Sequence, residues 1–343
     1  KGVKSERTRK ILEIQREWTE QLKKCDEVEL YIIKSTVIIA GTCTGFVSNR
    51  IIRDVEFDYV IVDEAAKATF PELAVSLNKA HKIILVGDHQ QLPPVLDTEI
   101  IRNNKEKLDE EGLAQGIFER MYNMFPEDNK HRLTIQYRMH PTIGTLISHV
   151  FYNDEIQNGV EAQDRELCIE GYEGIAIEWI STSKYSTKER YEKEFDNNGK
   201  KSYQNYLERN IIERKLLELD SKLVKRTKVA VITGYGSQKY ILQTMVKQHS
   251  FKHIEVDVDT VDAFQGSQKD IILYSTVRSS GNKYGIGFLK SEARINVAFS
   301  RARCLLIIVG DMKFLDNYKI RGNKFPEIIK YITESEGCRI IEK

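Results

Sequence analysis

Residues 58–94 read DYVIVDEAAKATFPELAVSLNKAHKIILVGDHQQLPP, and this stretch decides the fold of the chain. Two short apolar runs rich in β-branched residues, at 59–62 and 83–86, are bounded by polar residues or glycine. Such runs are typical of strands that are buried on both faces of a parallel sheet. We therefore predict an α/β fold with mostly parallel sheets.

Acidic and amide side chains follow both predicted strands. Asp63 and Glu64 come directly after the first run, and Asp88 and Gln91 follow the second. Because open parallel sheets bind ligands beyond the carboxyl ends of their strands, these residues predict a site for phosphate and a metal ion. A plainer interpretation remains open, in which Asp63 caps the next helix and residues 87–88 form only a turn.

Hydrolysis of a nucleoside triphosphate is the chemistry that suits these side chains. Mg²⁺ prefers oxygen ligands and keeps several waters, so Asp63 alone can hold it through its water shell. Glu64 is placed to orient an attacking water and to accept its proton. We expect Gln91 to contact the terminal phosphate and to report its loss to the loop that follows.

The segments DEAA, at residues 63–66, and GDHQQLPP, at residues 87–94, resemble motifs II and III of superfamily-1 helicases. The closer resemblance is to the 5′-to-3′ branch that contains the nonsense-mediated mRNA decay helicase and senataxin. It extends over nearly the whole chain and implies two RecA-like domains that bind ATP and Mg²⁺ between them. The partner that it implies is single-stranded DNA or RNA.

The composition sets limits on this interpretation. A length of 343 residues predicts about two domains, and 41% hydrophobic with 30% charged residues suits a soluble globular protein. The net charge of +1 provides no overall basic field, so a nucleic acid would have to bind in a local groove. The five cysteines show no CxxC spacing, which indicates a reducing compartment rather than a zinc or disulfide framework. With no apolar run long enough to span a membrane, we expect an intracellular protein, cytoplasmic or nuclear (or nucleoid-associated).

The resemblance implies a division into two domains. Residues 1–128 are expected to form part of the first RecA-like domain, with motifs Ic, II and III, and residues 129–343 the second, with motifs IV, V and VI. The P-loop pattern G-x-x-x-x-G-K-[ST], which precedes motif II in the family, occurs nowhere in the sequence. The chain is thus expected to be a degenerate homologue or, as the start at Lys1 favours, a fragment truncated on the N-terminal side of its first domain. The missing N-terminal part of the same protein would then be a partner.

Two arginines of the predicted second domain are candidates for contact with the γ-phosphate. A guanidinium group offers a fixed fork of donors that suits a phosphate. QYRMHP resembles motif IV and contributes Arg138. NVAFSRAR resembles motif VI, and Arg301 is the candidate arginine finger. Arg294 and Arg303 share the neighbourhood and remain the alternatives to Arg301.

The string TVDAFQG, at residues 260–266, resembles motif V, which couples ATP binding to the grip on the strand. The resemblance implies a strand-phosphate contact for Thr260 and a nucleotide contact for Gly266, where the lack of a side chain permits close approach. Gln268 stands where the family often has a glutamate that contacts the ribose.

Contacts of the first domain with the single strand are also implied by the resemblance. TVIIAGTCTG, at residues 36–45, predicts a strand that runs into a turn of small residues. Small hydroxyl side chains and glycine let backbone N–H groups approach an anion closely. The resemblance places strand contacts at Thr42 and Thr44 in this segment and at Pro93 within motif III.

A third set of implied strand contacts follows the strand KVAVIT. Thr233 and Tyr235 match a TPY-like string of the family, with Gly234 in place of the proline. Tyr235 either offers an aromatic face to a base or packs inside the domain. Gln238 is carried over with them.

Three further elements are predicted from polarity and periodicity. Residues 1–34 are expected to form an amphipathic helix that packs one apolar stripe on the core. Residues 181–203 are polar and without apolar periodicity, and predict an exposed loop. A helix is expected from about residue 204 to residue 219.

The function expected from these features is that of an ATP-dependent helicase or translocase motor that moves along single-stranded DNA or RNA, 5′-to-3′ by resemblance. One alternative is a nucleic-acid-binding or regulatory module without ATPase activity, because the P-loop pattern is absent from the sequence. Another is a metal-dependent nuclease that uses Asp63, Glu64 and Asp88. That reading leaves Arg138 and Arg301 without a role.

Overall fold

The computed structural model describes residues 2–22, 26–52, 55–95, 116–197, 200–280, 285–320 and 322–342. Packing divides the chain into two compact units. The first comprises Lys1–His89 and Pro93–Phe125, and the second comprises Gln90–Leu92 and Pro126–Lys343. The predicted domains, 1–128 and 129–343, differ from these units in the segment Gln90–Leu92 and in residues 126–128, which both belong to the second unit.

The helices and strands follow each other in a mixed order. The helices are α1 (Gly2–Leu22), α2 (Asp26–Ser35), α3 (Cys43–Ser48), α4 (Phe70–Leu77), α5 (Ile117–Met124), α6 (Pro141–Phe151), α7 (Thr187–Arg190), α8 (Tyr206–Lys222), α9 (Gly236–Lys247), α10 (Glu292–Phe299), α11 (Met312–Asn317) and α12 (Phe325–Glu334). The strands are β1 (Phe57–Val62), β2 (Ala80–Leu85), β3 (Ile135–Gln136), β4 (Gln157–Asn158), β5 (Ile177–Ser181), β6 (Lys193–Asn197), β7 (Lys200–Gln204), β8 (Thr227–Thr233), β9 (Ile254–Thr260), β10 (Lys269–Ser275), β11 (Ala302–Gly310) and β12 (Cys338–Glu342).

In the first unit, β1 and β2 form a two-stranded parallel sheet in which Val62 lies opposite Leu85. One face of this sheet packs on α4 and α5, where Val62, Leu73 and Phe118 form a small buried core. A capping box fixes the start of α4, because both the backbone N–H and the hydroxyl of Thr69 donate to the Glu72 carboxylate at 2.8 Å. The predicted pair of parallel strands is therefore present.

The opposite face of the same sheet is open in the described part of the chain. Tyr59, Ile61 and Ile84 share this face, and their exposed fractions are 54%, 66% and 46%. The prediction that these strands are buried on both faces is wrong for this side. Apolar strand residues signal that a face needs a cover, but they do not show which segment supplies it.

The predicted strand at residues 36–45 is also wrong. The segment reaches α3 without entering a sheet, and Val37 and Ile38 are 97% and 81% exposed. Thr42 is instead the N-cap of α3, because its hydroxyl accepts a hydrogen bond from the backbone N–H of Gly45 at 3.0 Å. A threonine hydroxyl satisfies one of the free N–H groups at a helix start, and this local bond ends the extended segment.

The second unit contains a six-stranded sheet in the order β12-β5-β11-β10-β8-β9, and every neighbouring pair is parallel. One face packs on α6, α10 and α12, with Ile143, Phe299 and Ile328 in the core. The other face packs on α8 and α9, with Leu216 and Leu242 in the core. Both faces are thus covered, and the predicted α/β class with parallel sheets is confirmed.

The polar segment at residues 181–203 is not the exposed loop that was predicted. It contains α7 and the antiparallel hairpin of β6 and β7, and Ser181 and Ser183 are buried. The Ser183 hydroxyl donates to Asp311 at 2.7 Å. Because this partner lies far along the sequence, polarity alone could not indicate that the segment is ordered. The helix that follows is α8, as predicted.

The long N-terminal helix differs from its prediction in one respect. α1 and α2 are present, but the apolar residues of α1 do not pack on a core, since Ile11, Ile14 and Trp18 are exposed. Among the helices that the structure describes, none is both long enough and apolar enough to cross a membrane.

Candidate nucleotide and nucleic-acid sites

The carboxyl ends of β1 and β2 lie side by side in the first unit. The backbone N–H of Val86 donates to Val62 at 2.9 Å, and that of Ala65 donates to Val86 at 2.8 Å. These bonds join the two strand ends at one edge of the sheet. The structure therefore brings the Asp63–Glu64 pair close to the segment that carries Asp88.

Backbone strain is located at Glu64. Its φ of 54° is left-handed, a conformation that costs a residue with a side chain on the order of 1–3 kcal/mol. The carboxylate of Asp63 accepts a hydrogen bond from the Glu64 backbone N–H at 2.9 Å and stabilises this turn. Both side chains are exposed to solvent. Thr69, and not Asp63, is the N-cap of α4.

The position of Gly87, just before Asp88, has no room for a side chain. A Cβ atom at this position would lie 2.8 Å from the backbone nitrogen of Ala66 and 3.3 Å from that of Ala65. Only glycine lets the chain after β2 approach the turn after β1 this closely. The sequence Gly-Asp is thus what holds the two acidic segments at one edge.

The side chains at this edge fit Mg²⁺ that is held mostly by water and phosphate. Asp63 engages the neighbouring backbone N–H through one oxygen, and its side chain is exposed. Within the described ranges, no three His, Cys, Asp or Glu side chains cluster to enclose a metal ion. One or two carboxylates are what protein sites commonly offer Mg²⁺ when substrate phosphates complete its shell.

Gln91 and Arg301 are in contact in the second unit. The Arg301 guanidinium donates to the Gln91 side-chain oxygen at 3.0 Å and to the Val297 carbonyl at 3.1 Å. Leu92, next to Gln91, is buried in the core of the same unit. Two of the predicted catalytic side chains therefore lie together.

Arg138 approaches the same place. Its guanidinium donates to the Ser300 carbonyl at 3.3 Å, and Arg301 donates to the Ser300 hydroxyl at 3.3 Å. The two alternatives to Arg301 point elsewhere, since Arg294 pairs with Asp262 and Arg303 with Asp270. The arrangement gathers two guanidinium groups and a side-chain amide, of which Arg138 and Gln91 are half-buried and Arg301 is 2% exposed.

The turn of motif V is open to solvent. Gly266 has a left-handed φ of 78°, and no atom lies within 4 Å of a Cβ built at this position. Gln268 is exposed beside it, and Thr260 is half-buried at the end of β9. A ligand can therefore reach the backbone at Gly266 and the side chain of Gln268.

The predicted strand contacts in the first unit are accessible. Thr42 and Thr44 are exposed at the start of α3, with their hydroxyl oxygens 3.5 Å apart. Pro93 is exposed as well. Because one of these hydroxyls donates to the other, one hydroxyl proton of the pair is left to donate to an acceptor such as a phosphate oxygen.

The structure corrects the predicted direct contacts of Thr233 and Tyr235. Thr233 is fully buried and Tyr235 is 3% exposed, so neither side chain can reach a strand. The Tyr235 ring packs between Tyr203 and Phe288, each with its ring centroid at 5.3 Å. Burial raises the pKa of the Tyr235 hydroxyl to about 12. Of the two roles left open for Tyr235, the structure supports packing.

Gln238 is structural too. It is fully buried and forms two hydrogen bonds with the backbone of Asn205, accepting at 2.7 Å and donating at 3.2 Å. It also donates to the Ser275 hydroxyl at 3.1 Å. Gln238, in α9, thus links the residue after β7 to β10 by hydrogen bonds and does not face a ligand.

Sequence reasoning missed Asn296, which lies within the motif VI helix. Its fully buried amide donates to the Gln90 carbonyl at 3.0 Å and to the Tyr152 hydroxyl at 2.8 Å. Asn296 therefore holds the backbone next to Gln91. The available signal was a polar residue inside the apolar run INVAF, because a buried amide needs partners.

Glu208 was also missed. This fully buried carboxylate accepts from the Ser275 hydroxyl at 2.6 Å, the Thr276 hydroxyl at 3.1 Å and the Val277 backbone N–H at 2.9 Å. Val277 has a left-handed φ of 69°, which is unfavourable for a β-branched residue. Burial raises the pKa of Glu208 to about 8. The acid fixes the kinked chain after β10, and its place within α8 gave no sequence signal.

Comparison with known proteins agrees with the motifs. Two family models match the chain, both described as an AAA domain, one over residues 1–99 and the other over residues 113–313. The chain belongs to this AAA-domain family, and the relatives that it resembles are regulators of nonsense transcripts and ATP-dependent helicases.

Two named relatives illustrate what the chain is similar to. The regulator of nonsense transcripts 1 homolog of Neurospora crassa is 34% identical over 301 residues, which are 86% of this chain and 26% of the relative. The ATP-dependent helicase NAM7 of Saccharomyces cerevisiae is 34% identical over 324 residues, which are 93% of this chain and 31% of the relative. The chain thus spans less than a third of the length of either relative.

Two solved structures are also similar. The PRRSV helicase matches 73% of this chain and 34% of its own at 17% identity, with a TM-score of 0.35. The arterivirus nonstructural protein 10 helicase in complex with DNA matches 75% of this chain and 40% of its own at 14% identity, with a TM-score of 0.35.

Proposed function

We propose that this chain is the motor region of an ATP-dependent helicase or translocase that moves along single-stranded DNA or RNA in the 5′-to-3′ direction. The observation that carries the proposal is the contact of Arg301 with Gln91, with Arg138 at the same Ser300. Motifs that lie far apart in the sequence supply these side chains, and all three suit a terminal phosphate. The relatives named ATP-dependent helicases support the same activity.

The proposed reaction is the transfer of the terminal phosphoryl group of ATP to water. Asp63 holds the water shell of Mg²⁺, which when bound neutralises charge on the phosphates. Glu64 orients the attacking water and accepts its proton. Arg301 and Arg138 stabilise the negative charge that develops on the transferred group, and Gln91 detects whether the terminal phosphate is present.

We further propose that the missing N-terminal part of the same protein covers the open face of the β1–β2 sheet and supplies the P-loop. The exposed side chains of Tyr59, Ile61 and Ile84 support this, because a parallel sheet is normally covered on both faces. The matched relatives, which are more than three times as long as the matched segment, are consistent with additional segments. Thr42, Thr44, Pro93 and Thr260 are the proposed contacts with the strand in this chain.

Substitution of Glu64 tests the catalytic assignment. In the longer natural protein, Glu64→Gln is expected to lower ATP turnover by about 10²–10⁴-fold, because the water loses its proton acceptor. ATP binding, measured with a fluorescent analogue, should stay unchanged. Glu56→Gln is the matched control, since this exposed glutamate precedes the opposite end of β1. Turnover of Glu64→Gln at the rate of the control would remove Glu64 from the mechanism.

The absence of the P-loop pattern favours one second candidate, a nucleic-acid-binding module without ATPase activity. It predicts strand binding that ATP does not alter, in the longer protein as in this chain. A nuclease would cleave the strand with Mg²⁺ and without ATP. The positions of Arg138 and Arg301 have no role in that reaction.

A further inference from the structure

Phe288 is an exposed aromatic residue to which the motifs assign no role. Its exposed fraction is 44%, although its neighbours Ile286 and Leu289 are each 1% exposed. It lies in the short 3-10 turn Gly287–Lys290, where the Leu289 backbone N–H donates to the Ile286 carbonyl at 3.1 Å. The two buried neighbours anchor the turn and hold the Phe288 ring towards solvent.

Phe288 packs on a stack of two further aromatic rings, those of Tyr235 and Tyr203, which we call the ring ladder. The Tyr235 ring lies 5.3 Å from that of Phe288, and the Tyr203 ring lies 5.3 Å from that of Tyr235. At the buried end, the Arg278 guanidinium lies 4.1 Å from the centre of the Tyr203 ring. A side chain at Gly287 would collide with the Tyr235 hydroxyl, so glycine there lets the turn settle on the ring ladder. The exposed ring is therefore fixed in place before any ligand arrives.

Phe288 also lies at the edge where strand contacts are proposed. A Cβ atom at Gly234 would lie 3.4 Å from that of Phe288, which places Phe288 over the turn that follows β8. The Arg294 guanidinium lies 4.9 Å from the centre of the Phe288 ring and pairs with Asp262, just after Thr260. Although Arg294 lies over the ring and is paired with Asp262, Phe288 stays 44% exposed, and an exposed aromatic ring is a surface on which bases of single-stranded nucleic acids stack.

We propose that Phe288 stacks with a base of the bound single strand, the role that the sequence had suggested for Tyr235. This inference rests on the proposed function, because it names the contact that the motor makes with a base. Tyr235 acts beneath Phe288 as a positioning residue. Since every base has a π-face, the contact tolerates any sequence, as a translocating motor requires.

The test compares strands with and without bases. The 343-residue chain is titrated against fluorescein-labelled oligo(dT), oligo(U) and an abasic oligonucleotide of equal length, and binding is followed by fluorescence anisotropy. Phe288→Ala should weaken binding of one or both base-containing strands about tenfold. It should leave the abasic affinity and the slope of log K against log salt unchanged, since no phosphate contact is removed. Phe288→Trp should retain the affinity.

Tyr240→Ala is the matched control, because this tyrosine of α9 is also exposed, at 67%, and it should bind like the wild type. Equal affinity of Phe288→Ala and the wild type for strands with bases overturns the stacking role and leaves the proposed function standing. Equal weakening on the abasic strand also overturns it, because the loss is then not a base contact. If the wild-type chain binds none of the strands, the strand-binding function itself fails. Thermal unfolding of each variant controls for the fold.

Discussion

The two parallel sheets of this protein differ in how completely they are covered. Among the residues that the structure describes, the β1–β2 sheet of the first unit packs on helices on one face, and Ile61 and Ile84 are exposed on the other. In the six-stranded sheet of the second unit, helices cover both faces, and residues such as Ile272 and Ile308 are fully buried. Parallel sheets occur almost only with both faces covered, and among the described residues only the sheet of the second unit meets this rule.

This difference matters for function because the side chains of the proposed ATP site come from both units. The acids Asp63 and Glu64 belong to the first unit, whereas Arg138 and Arg301 belong to the second. The second unit can therefore hold its arginines in place by its own packing. We expect the acidic edge to depend on whatever covers the open face of β1 and β2.

The largest effect is expected at Arg301, in the complete unit. Arg301→Ala in the longer protein should lower kcat for ATP hydrolysis by at least two orders of magnitude, within the range of about 10³–10⁵ for an arginine finger. Steady-state turnover at saturating ATP measures this loss. Because Arg301 is buried and donates to Val297, Gln91 and Ser300, thermal unfolding of the variant is measured as well, to separate a loss of catalysis from a loss of the fold.

Arg303→Ala is the matched control for that prediction. Arg303 lies two positions further along the chain and pairs with Asp270 at 2.8 Å on a partly exposed surface. We expect less than about a threefold change in kcat, in keeping with the small energies of exposed ion pairs. A larger loss from Arg303→Ala than from Arg301→Ala would transfer the finger role to Arg303.

A smaller effect is expected on stability, where one isoleucine of each sheet is replaced and the losses in free energy of unfolding are compared. Ile272→Ala, in the covered sheet, should lower the free energy of unfolding of the second unit by about 2–5 kcal/mol. Ile84→Ala, in the open sheet, should cost less than about 1 kcal/mol in this chain because its side chain is already 46% exposed. Hydrogen exchange, read separately on peptides from each unit, measures both changes.

The same pair of variants in the longer protein tests why the sheets differ. If an additional segment covers the open face, Ile84→Ala should become more costly there, while Ile272→Ala should cost the same as before. Equal costs of Ile84→Ala in both proteins would mean that this face stays open, and the comparison of the two sheets would lose its functional meaning.

Much of the fold could be predicted from the sequence, because the signals are local. The apolar runs that became β1, β2, β8 and β11 are short and bounded by polar residues or glycine, as buried parallel strands are. Of the candidate site, the motif strings indicated which residues to examine. The close approach at Gly87 was not predicted, because the contact with the Ala66 backbone that requires glycine joins the ends of two different strands.

The errors arose where distant residues decide the outcome. Ser183 is buried because it donates to Asp311, a residue 128 positions away, and no local pattern encodes that bond. Tyr235 was expected to offer a face to a base, but Tyr203 from the hairpin and Phe288 from a later turn bury it. Which of several aromatic residues stays exposed is a result of packing, and the sequence alone does not contain it in readable form.

ATP turnover is the measurement that tests the central claim most directly. The 343-residue chain and the longer natural protein should be compared at saturating ATP and Mg²⁺, with and without single-stranded DNA or RNA. Under the proposed function, we predict that only the longer protein turns over and that a single strand stimulates it, because the sequence of this chain lacks the P-loop pattern. Equal turnover by the 343-residue chain would contradict the proposal that a segment outside this chain supplies the P-loop. No turnover by either protein would contradict the motor function.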